Sequence, residues 1–142
     1  MINSRNPAEL TPDTQAKCSA FLAACHAAGI DVILTSTYRD AEAQAALYAQ
    51  GRSKPGAVVT NAKPGESWHN WRCAFDVVPL RNGKPVWGST GLDYDLWHQI
   101  GEIGESVGLE WAGRWRSFKE LAHFQNAQGL TLAQLQAGAA LA

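Results

Sequence analysis

Two of the four histidines stand where chemistry could be done. His69 lies in Glu66-Ser67-Trp68-His69-Asn70-Trp71, where a polar loop runs into the apolar stretch Cys73-Ala74-Phe75-Asp76-Val77-Val78. That stretch reads as a buried strand with Asp76 in its middle. A carboxylate carried into an apolar strand costs several kcal/mol unless something compensates it. His123 lies in Glu120-Leu121-Ala122-His123-Phe124, again where an irregular segment turns apolar. Two neutral imidazoles and one carboxylate make a donor set suited to zinc, with a fourth position left to water. The ion would supply the positive charge that Asp76 lacks. Strand alternation puts Ala74 and Val78 on the face of Asp76 and Cys73, Phe75 and Val77 on the other. Small Ala74 leaves room for a ligand sphere.

Such a site would hydrolyse an amide. Zinc brings the pKa of a bound water near neutrality, and a base must carry its proton to the leaving amine. Glu120, three residues before His123, could approach the ion without binding it. Arg39, after the strand that ends near Thr37-Tyr38, is the candidate for the developing oxyanion. A plainer reading stays open on spacing alone: Asp76 pairs with Arg39 or Arg72, and the histidines are merely solvated. His26 and His98 fall inside predicted helices with no acidic or histidine partner at helical spacing, and read as ordinary surface residues.

The elements that would position these residues follow from caps and punctuation. Thr11-Pro12-Asp13 opens a helix that runs to about Ala28 and stops at Gly29. Residues 31–36 form a strand. Asp40 caps a second helix through about Gln50, closed by Gly51. Residues 52–66, rich in Gly, Pro and Lys, form a long loop. A strand over 73–79 leads to the Asn82-Gly83 turn, from which 84–87 can pair back. A third helix spans 93–107 and ends at Gly108. Residues 109–125 are irregular, with a strand at 122–125, and Thr131 caps a short final helix. Helices and hairpin strands mix without strict alternation, which predicts an α+β fold with a small, mostly antiparallel sheet.

A chain of 142 residues, 46% apolar with formal charge −1, is read as one domain over 1–142 with a real core. It has no field to bind nucleic acid, and no apolar run of the ~20 residues that span a bilayer. MINSRNPAEL is no secretory signal. The three cysteines form no CxxC pair. Cys18 and Cys25 share a helix face and read as buried thiols, and Cys73 as a small core residue rather than a ligand. Of six tryptophans, Trp68, Trp71, Trp111 and Trp115 flank the two candidate segments, as cleft walls or as core.

Taken together, these segments resemble the peptidase family of phage L-alanyl-D-glutamate endopeptidases, D-alanyl-D-alanine carboxypeptidases and dipeptidases, whose fold the hedgehog signalling domain shares. The motif S-x-H-x-x-G-x-A-x-D reads Ser67 to Asp76 here. The motif E-x-x-H reads Glu120 to His123, within GLEWAGRWRSFKELAHFQ. An upstream Tyr-Arg with Gln and Leu reads Tyr38-Arg39, Gln44 and Leu47. The resemblance covers roughly residues 13–126. It implies that His69, Asp76 and His123 bind zinc, that Glu120 is the catalytic base, and that Arg39 holds a substrate carbonyl or carboxylate. Ser67, Tyr38, Gln44 and Trp115 would meet the substrate. Four positions depart from the pattern: Arg72 replaces the motif glycine, Ala112 a glycine, Ala122 a proline, and Glu120 the endolysin aspartate.

The resemblance implies cleavage of the L-Ala–D-Glu bond of peptidoglycan stem peptides. The agent would be a monomeric phage endolysin, made in the host cytoplasm without a signal peptide and acting in the periplasm or wall after release. A D-Ala-D-Ala carboxypeptidase or dipeptidase is the alternative. A non-catalytic zinc-containing wall-binding module is the alternative of another class, disfavoured by Glu120 and Arg39, which a pure binder does not need.

Overall fold

The computed structural model describes all 142 residues. Helix α1 spans Pro12–Ala27, strand β1 Asp31–Ser36 and helix α2 Ala41–Ala49. Strands β2 (Ala74–Arg81) and β3 (Lys84–Pro85) precede helix α3 (Gly91–Ser106). Strands β4 (Glu110–Trp111) and β5 (His123–Gln125) and helix α4 (Leu132–Gln136) complete the chain. Three 3-10 turns are interspersed at Pro7–Glu9, Trp68–Trp71 and Ala112–Arg114. The α+β expectation holds: β1, β2, β5 and β4 lie in that order, β3 pairs with β2, and every pairing is antiparallel.

The main elements arise as their sequence signals require. Pro12 opens α1, and its buried Thr14, Cys18, Phe21 and Cys25 recur at helical spacing along one face. Asp40 caps α2 by accepting from the Ala43 amide at 2.8 Å. Three details differ from the sequence reading. The β3 partner is only two residues long, α3 starts two residues early at Gly91, and the irregular segment contains the short strand β4. Two-residue strands carry no alternation to read, so pairing alone creates them.

Helices α1 and α3 cover one face of the sheet. Phe75 on β2 is paired with Phe124 on β5, and their rings stack at 5.8 Å. Phe21 of α1 meets both rings, at 5.8 and 4.8 Å. Each of the three is fully buried, contributing about 1.5–3 kcal/mol through burial. Helix α3 approaches so closely that a Cβ at Gly104 would run into the Phe124 ring, and one at Gly101 into Trp111. The core also takes in Cys18, Cys25, Trp97, Ile100 and Trp111. No helix is long and apolar enough to cross a membrane.

Candidate metal centre

Register places the first two groups. Asp76 on β2 is paired directly with His123 on β5, so both project from the sheet face opposite Phe75 and Phe124. His69 comes from the 3-10 turn Trp68–Trp71. Ser67 caps that turn, accepting from the His69 amide at 3.3 Å, while Asn70 Oδ1 accepts from the Gly65 and Ser67 amides. The turn is knitted to the end of β1: Asn70 Nδ2 donates to the Arg39 carbonyl at 2.9 Å, and the Arg39 amide to the His69 carbonyl at 3.1 Å.

Three potential ligand atoms thereby converge, all within 4.8 Å of one another. His69 Nε2 lies 3.1 Å and His123 Nδ1 3.2 Å from the same oxygen, Asp76 Oδ1. Both histidines are buried, while Asp76 keeps 27% of its side chain open toward the cleft. The opposite ring nitrogens are also engaged. His69 Nδ1 is 2.8 Å from the Thr37 carbonyl, and His123 Nε2 is 2.8 Å from Gln125 Oε1. A backbone carbonyl can only accept, so His69 carries its proton on Nδ1. A neutral His69 then turns a bare lone pair toward a carboxylate oxygen. Acceptors facing each other at that distance need a cation or a second proton between them. With the opposite nitrogens oriented by carbonyl groups, this donor set fits zinc.

The electrostatics agree. Burial alone would raise the Asp76 carboxyl. Without an ion, a second proton on His69 fills the gap: its charge and hydrogen bonds from both imidazoles outweigh burial and hold the acid well below the usual carboxylate range. Burial opposes charge on His123, yet its hydrogen bond to Asp76 and the charge there lift it above the ordinary histidine value, with help from Gln125 and Glu120. The plainer sequence alternative, Asp76 paired with an arginine, does not occur. Its contacts are the two histidines.

The centre opens into a cleft of about 960 Å³ whose wall includes Arg39, Ser67, Trp115 and Glu120. Glu120 is 58% exposed, with its carboxylate 3.6 Å from His123 Nδ1. It therefore stands beside the donor set while remaining open to solvent. Arg39 is half-buried. Burial depresses its pKa, and the charges of Asp76 and Glu120 act against that. Its Nε is buried without a hydrogen-bond partner, while the side chain lines the cleft. Trp115 is fixed by its indole N–H on Glu110, at 2.7 Å, with its ring 5.6 Å from that of His123.

Two expected substrate contacts lie elsewhere. Tyr38 and Gln44 are not on the cleft wall. The Arg72 guanidinium covers the Tyr38 ring at 3.7 Å, and Gln44 is wholly buried. Arg72 itself points away from the centre, bonding the Glu9 carbonyl and carboxylate at 3.0 and 2.7 Å. Its backbone is nevertheless left-handed, with φ 59°, a conformation that favours glycine. The tryptophans divide: Trp68 and Trp115 line the cleft, as do Trp87 and Trp97, while Trp111 is core. His98 does have an acidic neighbour at helical spacing, Glu102 at 3.3 Å, but on the exposed side of α3. The cysteines are free and buried, and burial pushes the Cys73 thiol up to about 12, consistent with a core role.

Comparison with known proteins agrees with this arrangement. A family described as D-alanyl-D-alanine carboxypeptidase matches residues 60–126, a span that includes His69, Asp76, Glu120 and His123. The chain is 35% identical over 127 residues to the peptidoglycan L-alanyl-D-glutamate endopeptidase CwlK of Bacillus subtilis (strain 168), covering 84% of this chain and 74% of CwlK. Among solved structures, the Serratia marcescens L-Ala D-Glu endopeptidase ChiX superposes with a TM-score of 0.64 at 20% identity, over 94% of this chain and 92% of ChiX. The vancomycin-resistance D,D-pentapeptidase VanY in complex with Zn(II) superposes with a TM-score of 0.56 at 19% identity, over 89% and 83% of the two chains. The likeness to CwlK extends beyond the cleft to most of both chains, and the chain belongs to the M15 family of metallopeptidases.

Proposed function

We propose that the chain is a zinc-dependent peptidoglycan hydrolase that cleaves the L-Ala–D-Glu bond of stem peptides. The observation that carries this reading is the convergence of His69, Asp76 and His123 on one point at the floor of a cleft, with Glu120 beside them. His69, Asp76 and His123 would hold the zinc. When bound, zinc supplies Lewis-acid charge that makes a water nucleophile available near neutral pH. The Glu120 carboxylate takes a proton from the attacking water and returns it to the leaving amine of D-Glu. Its exposure suits this role, because it must reach both the water and the departing nitrogen. Arg39, a cation on the same cleft wall, holds the carbonyl oxygen as negative charge develops on it. Likeness to CwlK favours the L-Ala–D-Glu bond.

Carboxypeptidase action is the second reading. The family matched at residues 60–126 is described by that activity, and Lys119 joins Arg39 on the cleft wall, a second cation that could meet a terminal carboxylate. Purified sacculi separate the two. New free amino termini on D-Glu, abolished by chelator and restored by zinc, are the expected result. Release of D-Ala instead would establish the carboxypeptidase, and no soluble product with either bond would leave a wall-binding module. A lysin acting from the host cytoplasm after release belongs to the same reading. It predicts that cells expressing the chain lyse only when their membrane is permeabilised.

A further inference from the structure

Gln44 has no place on the cleft wall, yet its amide joins two groups that do. Its Oε1 accepts from Arg39 Nη1 at 2.9 Å, and its Nε2 donates to the Ala62 carbonyl at 2.7 Å. The partners force this orientation, since a guanidinium only donates and a carbonyl only accepts. No stronger side-chain bond holds the Arg39 guanidinium: the contact with Ser36 Oγ is 3.5 Å, and Nε has no partner. Val59, Thr60, Asn61 and Ala62 form another part of the wall. Their other tie is Arg52, which bonds the Thr60 carbonyl at 3.0 Å and Asn61 at 3.3 Å from an exposed position. Gln44 is the buried tie, where hydrogen-bond geometry is held most tightly.

We propose that Gln44 is a positioning residue. It sets the Arg39 guanidinium and the 59–62 wall relative to each other, so the cation that meets the scissile carbonyl and the surface that seats the peptide move as one. The inference rests on the role given to Arg39 above. A misplaced guanidinium chiefly costs kcat, because it acts on developing charge, whereas a displaced wall chiefly costs KM.

Two substitutions separate the arms. Gln44→Leu removes both bonds, and kcat is expected to fall about 10²-fold. Hydrogen exchange at the 59–62 amides of the free enzyme should quicken. Gln44→Glu keeps an acceptor for Arg39 but turns a second acceptor toward the Ala62 carbonyl. It should lose much less kcat than Gln44→Leu while KM rises and exchange at 59–62 quickens. In an Arg39→Ala background, Gln44→Leu should change kcat by less than about threefold, as expected of residues acting as a unit. Equal kcat losses in the Leu and Glu variants would overturn the proposal, as would losses of Arg39→Ala and Gln44→Leu that multiply. Should Gln44→Leu fail to fold, Gln44→Glu decides: unchanged exchange at 59–62 overturns it. Full-rate cleavage by Arg39→Ala with Gln44 intact would refute the role of Arg39 itself, and this inference with it.

Discussion

The β2–β5 pair presents two faces one residue apart. On one, Phe75 and Phe124 stack and are sealed by Phe21. On the other, Asp76 and His123 converge with His69 around a point left to a cation. The same backbone pairing builds both, because adjacent residues of a strand point opposite ways. The apolar face repays its ordering through burial. The polar face offers acceptors to one another and gains only when something positive arrives. Slipping the register by one residue would put the carboxylate into the core and a phenyl ring into the cleft. The aromatic face is therefore what holds the polar face in register.

The contrast can be broken from either side. The largest effect belongs to the polar face. Glu120→Ala should reduce turnover by about 10²–10⁴-fold while zinc content stays at one ion per chain by metal analysis. Asp76→Ala should lose the zinc and the activity together. Next comes the apolar face: Phe124→Ala should cost about 3–5 kcal/mol in denaturant unfolding, with zinc still bound by the fraction that folds. Gly104→Ala, which drives a methyl into the Phe124 ring, should cost about 1–3 kcal/mol and leave KM unmoved.

Proton linkage gives a smaller and more diagnostic effect. His123 is raised, so in metal-free protein its contribution is full below about pH 6.5 and fades as pH climbs through its folded value. Asp76 is lowered, so its contribution is present above about pH 3.9 and lost only as pH falls through its folded value. On the proposed reading zinc would compete with the proton on His123 and bind better as pH rises. The gap in Tm between loaded and metal-free protein should therefore widen from about pH 6 to about pH 8; a constant gap would mean that His123 does not exchange a proton for the ion. Least affected should be the thiols. Burial pushes Cys18 and Cys73 up to about 12 and Cys25 to about 11, so a thiol reagent should label none of them before unfolding.

The polar face was legible in the sequence because its signals are local. A histidine at a loop–strand junction, an acid inside an apolar strand and a glutamate three residues before a second histidine can each be read within a few residues. The helices were legible for the same reason, from Pro12, Asp40 and the Cys18-Phe21-Cys25 stripe. What stayed hidden depends on tertiary contact. The Thr37 carbonyl behind His69 is a backbone atom with no residue signature. Gln125 is anonymous until folding turns its Oε1 onto His123 Nε2. Gln44 was expected at the substrate only through the family resemblance, yet α2 turns it inward onto the arginine. Strand β4 exists only because Glu110 and Trp111 pair with Gln125 and Phe124. Trp87 and Trp97, distant in sequence from both motifs, reach the cleft through the packing of α3 and the hairpin.

Arg72 carries an implication for handling the protein. Its left-handed backbone is about 1–2 kcal/mol less favourable than a glycine would be there, and what it gains is a grip on Glu9 and Tyr38. Residues 2–4 run alongside Tyr38 and Asp40, with Ser4 donating to the Tyr38 carbonyl and Asp40 to that of Ile2. The first ten residues are thus fastened to the turn that aims His69, some sixty positions downstream. Trimming them, or crowding them with a bulky fusion, would loosen one side of the His69–Asp76–His123 cradle without touching any residue in it, so affinity tags belong at the other terminus.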